Sequence, residues 1–278
     1  MAESMIIAAP LLILALVLTL AFVGCSLDES GLLVEYQDDI SNDPNIVSYW
    51  RLGEAPGATT AADSKDGNAG TYEGGVTLGV PGLLHNNPDT AAQFDGSSGY
   101  VSVPYTAALN PAKFTVEALV QIVGGDGTYR TVVSSRDYDP VTKNLLGYIL
   151  YVNDQNMWEA VVGDGGSTPR IVTVGTPDAV KVGGGPPRGP YYLAMTYDGT
   201  NLSLYVNPVD QTDPDQVASK PFAYQPNAKN ELRIGAGANE SVPPILFFDG
   251  VIDEVAVYSA ALDFATLQKH FAVMMMKS

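Results

Sequence analysis

Asp253 is the acid in this sequence most in need of a chemical partner. It lies in the run Gly250-Val-Ile-Asp-Glu-Val-Ala-Val-Tyr-Ser-Ala-Ala-Leu262, where strict alternation places it in phase with Val251, Val255 and Val257. An acid on an apolar face must be hydrogen-bonded, paired or metal-bound, because burying it alone is strongly unfavourable. Asp63, Asp66 and Asn68 crowd a single turn and carry the short oxygen ligands that Ca²⁺ prefers. The same residues also suit an ordinary Asx turn, with Asp253 or Glu254 accepting backbone N–H groups instead.

A second constellation is aromatic. Trp158, Tyr148, Tyr151 and Tyr138 fall close together in sequence, beside Asn153, Asp154 and Asn156. Exposed aromatics next to such polar groups could stack on and hydrogen-bond a sugar. Tyrosine and tryptophan also serve simply as core or rim, with a polar handle to satisfy. Catalysis is not expected. Retaining glycoside hydrolysis sets two carboxylates about 5–5.5 Å apart across one cleft. Asp137-Tyr-Asp139 runs into Pro140 and reads as a turn, while Asp154 and Glu159 sit on an adjoining turn and strand. His85 and His270 are the only histidines, and no nucleophile-elbow glycine pattern surrounds a serine.

The elements that must position these residues are short. From Ile46 onward the chain reads as strands punctuated by Gly, Asn, Asp and Pro, with 28 glycines and 19 prolines in all. Phe114, Val116, Ala118, Val120 and Ile122 share one phase, with Thr115, Glu117 and Gln121 on the other. Leu202, Leu204 and Val206 alternate likewise, after a hairpin signal at Tyr197-Asp-Gly-Thr-Asn201. Tyr148–Val152 and Trp158–Val162 form another expected pair, and one strand is expected at Ile171–Val174 within a Gly/Pro-rich excursion over 163–189. Asp263 can cap a short C-terminal helix with Phe264, Leu267, Phe271 and Met274 on one stripe.

Composition bounds the partners. Of 278 residues 46% are hydrophobic, so a large core is available. With 14 basic and 31 acidic residues the formal charge is −17, which disfavours nucleic acid and anionic membrane surfaces. The single Cys25 excludes an internal disulfide framework, and two histidines make a zinc site hard to assemble.

The sharpest break is at the amino end. Met5 to Gly24 is a nearly unbroken apolar run of 20 residues, roughly 30 Å as a helix and long enough to cross a bilayer. Two readings follow. One is a retained transmembrane anchor; the other is a lipoprotein signal, because Phe22-Val-Gly-Cys25 is similar to a lipobox in which Cys25 would carry lipid. The expected organisation is an anchor or signal over 1–27, an aperiodic acidic spacer over 28–45 and one folded domain over 46–278.

Six motifs in order carry a family resemblance. They are Tyr49-Trp-Arg-Leu-Gly-Glu54, Ala61-Ala-Asp-Ser64 with Gly67-Asn-Ala-Gly70, Ala91–Pro104, Phe114-Thr-Val-Glu117, Tyr197-Asp-Gly-Thr200 with Leu204-Tyr-Val-Asn207, and Gly250–Leu262. Over residues 46–272 the chain resembles the laminin-G-like, concanavalin A-like lectin/glucanase domains. The resemblance implies an all-β, two-sheet antiparallel jelly-roll sandwich, usually outside the cytoplasm. In such a fold first and last strands are neighbours, which would bring the Asp63–Gly70 turn toward Asp253, and similar domains often carry one structural Ca²⁺. Leu119 and Tyr192 stand where these domains often have Trp, which weakens transfer of an aromatic platform. The resulting expectation is a non-catalytic module, membrane-anchored with its globular domain on the periplasmic or extracellular side. It would be an accessory subunit of a larger membrane assembly or, alternatively, a carbohydrate-binding or adhesion protein.

Overall fold

The computed structural model describes residues 29–65, 67–85, 87–175 and 188–275. The apolar amino-terminal run, Cys25 and Asp66 lie outside the described residues, and no described helix is long and apolar enough to cross a membrane. Helix α1 (Glu29–Asn42) leads into β1 (Ile46–Trp50), β2 (Thr60–Ala61), β3 (Gly70–Glu73), β4 (Val76–Pro81), β5 (Thr90–Asp95) and β6 (Tyr100–Val103). After one 3-10 turn come β7 (Phe114–Ile122), β8 (Arg130–Tyr138), β9 (Leu145–Val152), β10 (Trp158–Val162) and β11 (Arg170–Val174). The chain closes with β12 (Arg188–Tyr197), β13 (Asn201–Val206), β14 (Val217–Pro221), β15 (Leu232–Ile234), β16 (Asp249–Tyr258) and α2 (Phe264–Met275).

Period-two alternation divides these strands into two antiparallel sheets packed face to face. The first runs β14-β13-β12-β7-β16-β5-β4, with β1 also on β16; the second runs β11-β10-β9-β8-β15-β6-β3-β2. The apolar phase of β7 meets Leu202, Leu204 and Val206 of β13 and Tyr148, Leu150, Val152, Trp158, Ala160 and Val162 of the second sheet in one core. Each fully buried large side chain there contributes roughly 1.5–3 kcal/mol. Trp50 is in the same core, its indole N–H donated to the Asn68 carbonyl at 2.8 Å, and it pairs with Val255 across β1 and β16. Gly147 shows how closely β8 and β9 approach. Its φ is +80° and a Cβ there would lie 1.9 Å from the Ser135 carbonyl oxygen, so only glycine fits.

The two outer faces differ. Both helices lie on the first sheet, where Tyr36 and Ile40 of α1 and Leu267, Val273 and Met274 of α2 cover Leu119, Tyr192, Ala194, Ala256 and Tyr258. Asp263 caps α2 as its position suggests, its carboxylate accepting from Thr266 N at 2.8 Å. The 28–45 stretch is not an aperiodic spacer: it is helical from Glu29 to Asn42 and joined to α2 by an Asp39–Lys269 ion pair. Among the residues whose side chains are described, Tyr36 and Ile40, four apart, are its buried apolar anchors. The second sheet's outer face carries no helix among the described residues.

Strict alternation fails once in β16, at its acids. The first half of the strand, Asp249–Ile252, pairs with β5; the second half, Val255–Tyr258, pairs with β1; β7 runs along the other side throughout. The register slips between Asp253 and Ala256, and Glu254 takes φ +52°. Asp253 therefore stays with Val251 on the helix-covered face, while Val255 and Val257 turn inward to the core. The expectation of one phase for all four residues is corrected by this bulge.

Candidate functional site

Of the four residues assembled for a Ca²⁺ cage, Asp63 and Asn68 come together, Asp66 is outside the described residues, and Asp253 is engaged elsewhere. Asp63 is a turn organiser. Its Oδ1 accepts from Tyr49 N at 2.9 Å and Lys65 N at 3.0 Å, and its Oδ2 from Gly67 N at 3.2 Å and Asn68 N at 2.8 Å. Asn68 gives its amide N–H to Ser48 Oγ and accepts from Thr106 with its oxygen. Asp253 Oδ2 accepts from Leu83 N at 2.8 Å. The Asp63 carboxylate oxygens accept from four backbone N–H groups, and no group of three or more acids, cysteines or histidines among the described residues could hold a metal ion. Replacing Asp63 by alanine strands four backbone donors. The expected loss is about 3 kcal/mol in urea denaturation, equal in the presence of Ca²⁺ and of chelator.

The aromatic set divides between the two sides of the second sheet. Tyr148 points inward, its hydroxyl donated to the Leu109 carbonyl at 2.9 Å and its ring 4.9 Å from Phe114. Trp158 also faces the core, only 1% exposed. Tyr151 points outward with Ile149 and Val161. Beside it stand Tyr129, 40% exposed with its ring edge-on at 5.5 Å, and the exposed Asp154. Burial and the Asp154 and Glu159 carboxylates push the Tyr129 phenol up; burial and the Glu159 hydrogen bond do the same for Tyr151. Asn153 builds the turn, accepting from Gln155 N and Met157 N, and ties Glu159 with its amide at 2.7 Å. Asn156, at φ +59°, accepts from buried Arg130 at 2.6 Å.

Tyr138 and the Arg136–Glu240 pair extend the outward row along β8, with the Arg136 guanidinium 5.9 Å from the Tyr138 ring. Ile245, 47% exposed, flanks it, bridged to Gly237 next to the Thr131 N–Leu246 O hydrogen bond. That face therefore exposes Tyr129 and Ile245 beside a half-buried Arg136–Glu240 pair, while Leu145, Ile149, Tyr151 and Val161 are buried within it. Tyr129 and Ile245 gave no sequence signal, because they sit in loops outside the alternating strands, Tyr129 being brought alongside Tyr151 by the fold.

The covered face holds a different network. Glu117, on the outward phase of β7, is fully buried and accepts from the Tyr192 and Tyr258 hydroxyls, with His270 Nδ1 of α2 at 3.0 Å. Burial alone would raise its pKa, but the neighbouring imidazolium and the two hydroxyls hold it below the ordinary carboxylate value. Burial opposes protonation of His270, yet Glu117 and Asp39 together raise its pKa. At the bulge, Glu254 accepts from the Tyr49 hydroxyl, with Arg51 Nε at 3.9 Å, and Arg51 also pairs with Asp89. Burial pushes Asp253 up to about 7 and Glu254 well above its ordinary value, each acid reinforced by carboxylate neighbours. Leu119 and Tyr192 lie in this covered layer, beneath the helices, and form no platform.

Comparison with solved structures shows a fold shared with other proteins. The binding domain of botulinum neurotoxin DC in complex with SialylT aligns with a TM-score of 0.58 at 12% identity, over 84% of this chain and 52% of that one. The same domain in complex with rat synaptotagmin II aligns at 0.55 and 11%, over 84% and 52%. Trypanosoma rangeli sialidase in complex with 2,3-difluorosialic acid aligns at 0.56 and 13%, over 89% of this chain and 39% of that one. At such identities the likeness is one of fold, and this chain spans about half the length of those neurotoxin domains. A comparison with curated proteins finds no match. The profile of the concanavalin A-like lectin/glucanases superfamily, in its laminin-G form, matches residues 95–268. That stretch runs from the end of β5 into α2 and takes in the central strands of both sheets, so the chain belongs to the concanavalin A-like lectin/glucanase superfamily.

Proposed function

We propose that this protein is a non-catalytic interaction module, held at the outer surface of a membrane by its amino-terminal apolar run, that docks on a larger membrane assembly as an accessory subunit. The observation that carries the reading is the inequality of the two faces. One sheet is sealed by α1 and α2, while the other exposes Tyr129 and Ile245 in loops beside the half-buried Arg136. Tyrosine and arginine are the residues that dominate protein interfaces. The exposed Asp154 and the overall charge of −17 select a partner with a basic surface.

The non-catalytic part of the reading is supported by how the carboxylates are used. Asp137 is held by Asn230 and Lys229, Asp139 closes a turn on Val141 N, and Glu159 is shared by Asn153 and Thr173. The test is a mild-detergent pull-down from native membranes, with mass measurement of the chain's amino terminus to distinguish Met1 from Cys25. A stoichiometric complex is expected, weakened at least tenfold by Tyr129→Ala, as for the loss of an interface hot spot, and weakened again by raised salt. A complex indifferent to both changes would place the docking surface elsewhere.

A second reading is carbohydrate binding. It is favoured by the placement of Tyr151, Asn153 and Asp154 beside Tyr129, and by the glycan and receptor complexes of structurally similar domains.

A further inference from the structure

The helical course of residues 29–42 brings the folded domain close to the apolar run that precedes it. Gly24 closes that run, and Glu29 opens α1 five residues later. Five residues reach at most about 18 Å when fully extended. A lipidated Cys25 would stand nearer still, four residues before Glu29. Either form of anchor leaves no spacer, so part of the domain surface has to lie against the bilayer.

The course of α1 selects that part. Its carboxyl end lies at the Thr115–Tyr258 end of the first sheet, where Ser259 N donates to Asn45 O at 2.8 Å. Going back along the helix, Asp39 pairs with Lys269, and Tyr36 packs edge-on against His270 at 5.9 Å. His270 in turn sits on Glu117, three residues into β7. The helix thus follows β7 from its Phe114 end toward its Ile122 end. Seven more residues carry Glu29 roughly 10 Å further that way.

Strand direction decides which loops share this end. Val123 continues β7 and gives its N–H to Asp249 O. Val209 lies beyond the end of β13, which runs in the same direction as β7 because both are antiparallel to β12. The Val209 carbonyl accepts from Gln268 of α2 at 2.7 Å, on the helix-covered side. Val123 is 38% exposed and Val209 59%. Val141, 89% exposed, caps the opposite end, in the turn after the nine residues of β8.

Charge narrows the lipid. The loops 123–129 and 207–216 contain no Lys or Arg and hold Asp126, Asp210, Asp213 and Asp215. Acids repel an anionic headgroup layer, whereas choline and ethanolamine headgroups end in an ammonium that acids attract. Two valines bind lipid weakly by themselves, but a tether this short raises the local concentration enough for a weak patch to engage.

We propose that the Val123 and Val209 loops rest on the zwitterionic lipid surface in which the chain is anchored, with the Thr115–Tyr258 end pointing away from it. The proposal rests on the membrane anchor of the reading above and holds for either form of it. It adds a single orientation, in which the bare face stands upright beside the bilayer and open to a partner in the same membrane.

The test uses the full chain in phosphatidylcholine nanodiscs with ¹³C-methyl valine labelling, the three signals being assigned by Val123→Ile, Val141→Ile and Val209→Ile. The nanodiscs include a lipid that carries a gadolinium chelate on its headgroup. Val123 and Val209 are expected to lose their signals to paramagnetic broadening, while Val141 keeps its own. Exchange of part of the lipid for phosphatidylglycerol should restore intensity at Val123 and Val209 in low salt, and raised salt should remove it again. Equal broadening at all three valines, broadening of Val141 alone, or none in a chain that stays with the nanodisc overturns the orientation and leaves the anchor standing. Deeper broadening with phosphatidylglycerol overturns the zwitterionic surface. A chain that does not enter nanodiscs overturns the anchor and the orientation with it.

Discussion

Replacing Glu117 by alanine is expected to destabilise the domain by about 3–5 kcal/mol, the range for removing one partner from a buried charged network. Three groups converge on this carboxylate, the hydroxyls of Tyr192 and Tyr258 and the imidazole of His270. Without it, two phenols lose their acceptor and a cation is left facing the sheet. Glu117→Gln keeps an acceptor but loses the charge, and should retain about half of the stability that alanine loses. Urea denaturation of the two variants measures the total. Amide exchange in α2 locates it: protection of residues 264–275 should fall before that of β7, because His270 is the group tying the helix to Glu117. Equal protection loss throughout would mean that the pair does not anchor the helix separately.

Stability should also peak in mild acid and decline as the pH rises toward 8. The folded pKa of Asp253 is raised to about 7 and that of Glu254 is raised too, so both hold protons that the unfolded chain has released above its ordinary carboxylate range. A group of this kind contributes its stability below the unfolded pKa and loses it as the pH rises through the folded one. His270, raised above 6.5, adds to the loss on the alkaline side. Glu117 works in the opposite sense, because its folded pKa is lowered and its contribution disappears in strong acid. Linkage makes each extra proton worth about 1.4 kcal/mol per pH unit. Melting temperatures measured from pH 4 to pH 8 should therefore show a maximum near pH 5, and Glu254→Gln should flatten the alkaline limb. A profile rising to pH 8 in the unaltered protein would contradict the burial of these two acids.

How far the sequence led can be judged from particular residues. The inward phase of β7 followed from alternation, which reports burial directly, whereas the pairing of β1 with β16 followed from the family resemblance. Asp253 was recognised as an acid needing a partner, but its neighbours on the face were misjudged. The bulge is set by the change of pairing partner from β5 to β1, and a non-glycine residue at positive φ leaves no mark in the sequence. The aromatic set shows a different limit. Tyr148 and Tyr151 are three apart, so alternation alone puts them on opposite faces of one strand; nearness in sequence concealed this. Glu117 read only as one of the residues on the phase opposite the core, with Thr115 and Gln121. Its burial depends on His270, 153 positions away, and on a helix whose contact with the sheet is a tertiary event.

The clasp between α1 and α2 bears on how the domain responds to tension. A pull on Glu29 passes through α1 into β1 and from there into β16, which lies in the interior of its sheet between β7 and β5, while α2 holds α1 from the side. The edge strands β14 and β4, which could be peeled one hydrogen bond at a time, are not in that line of force. The strands that carry Tyr151 and Tyr129's neighbours belong to the other sheet altogether. In the proposed arrangement, tension arriving at Glu29 would therefore not deform the second sheet.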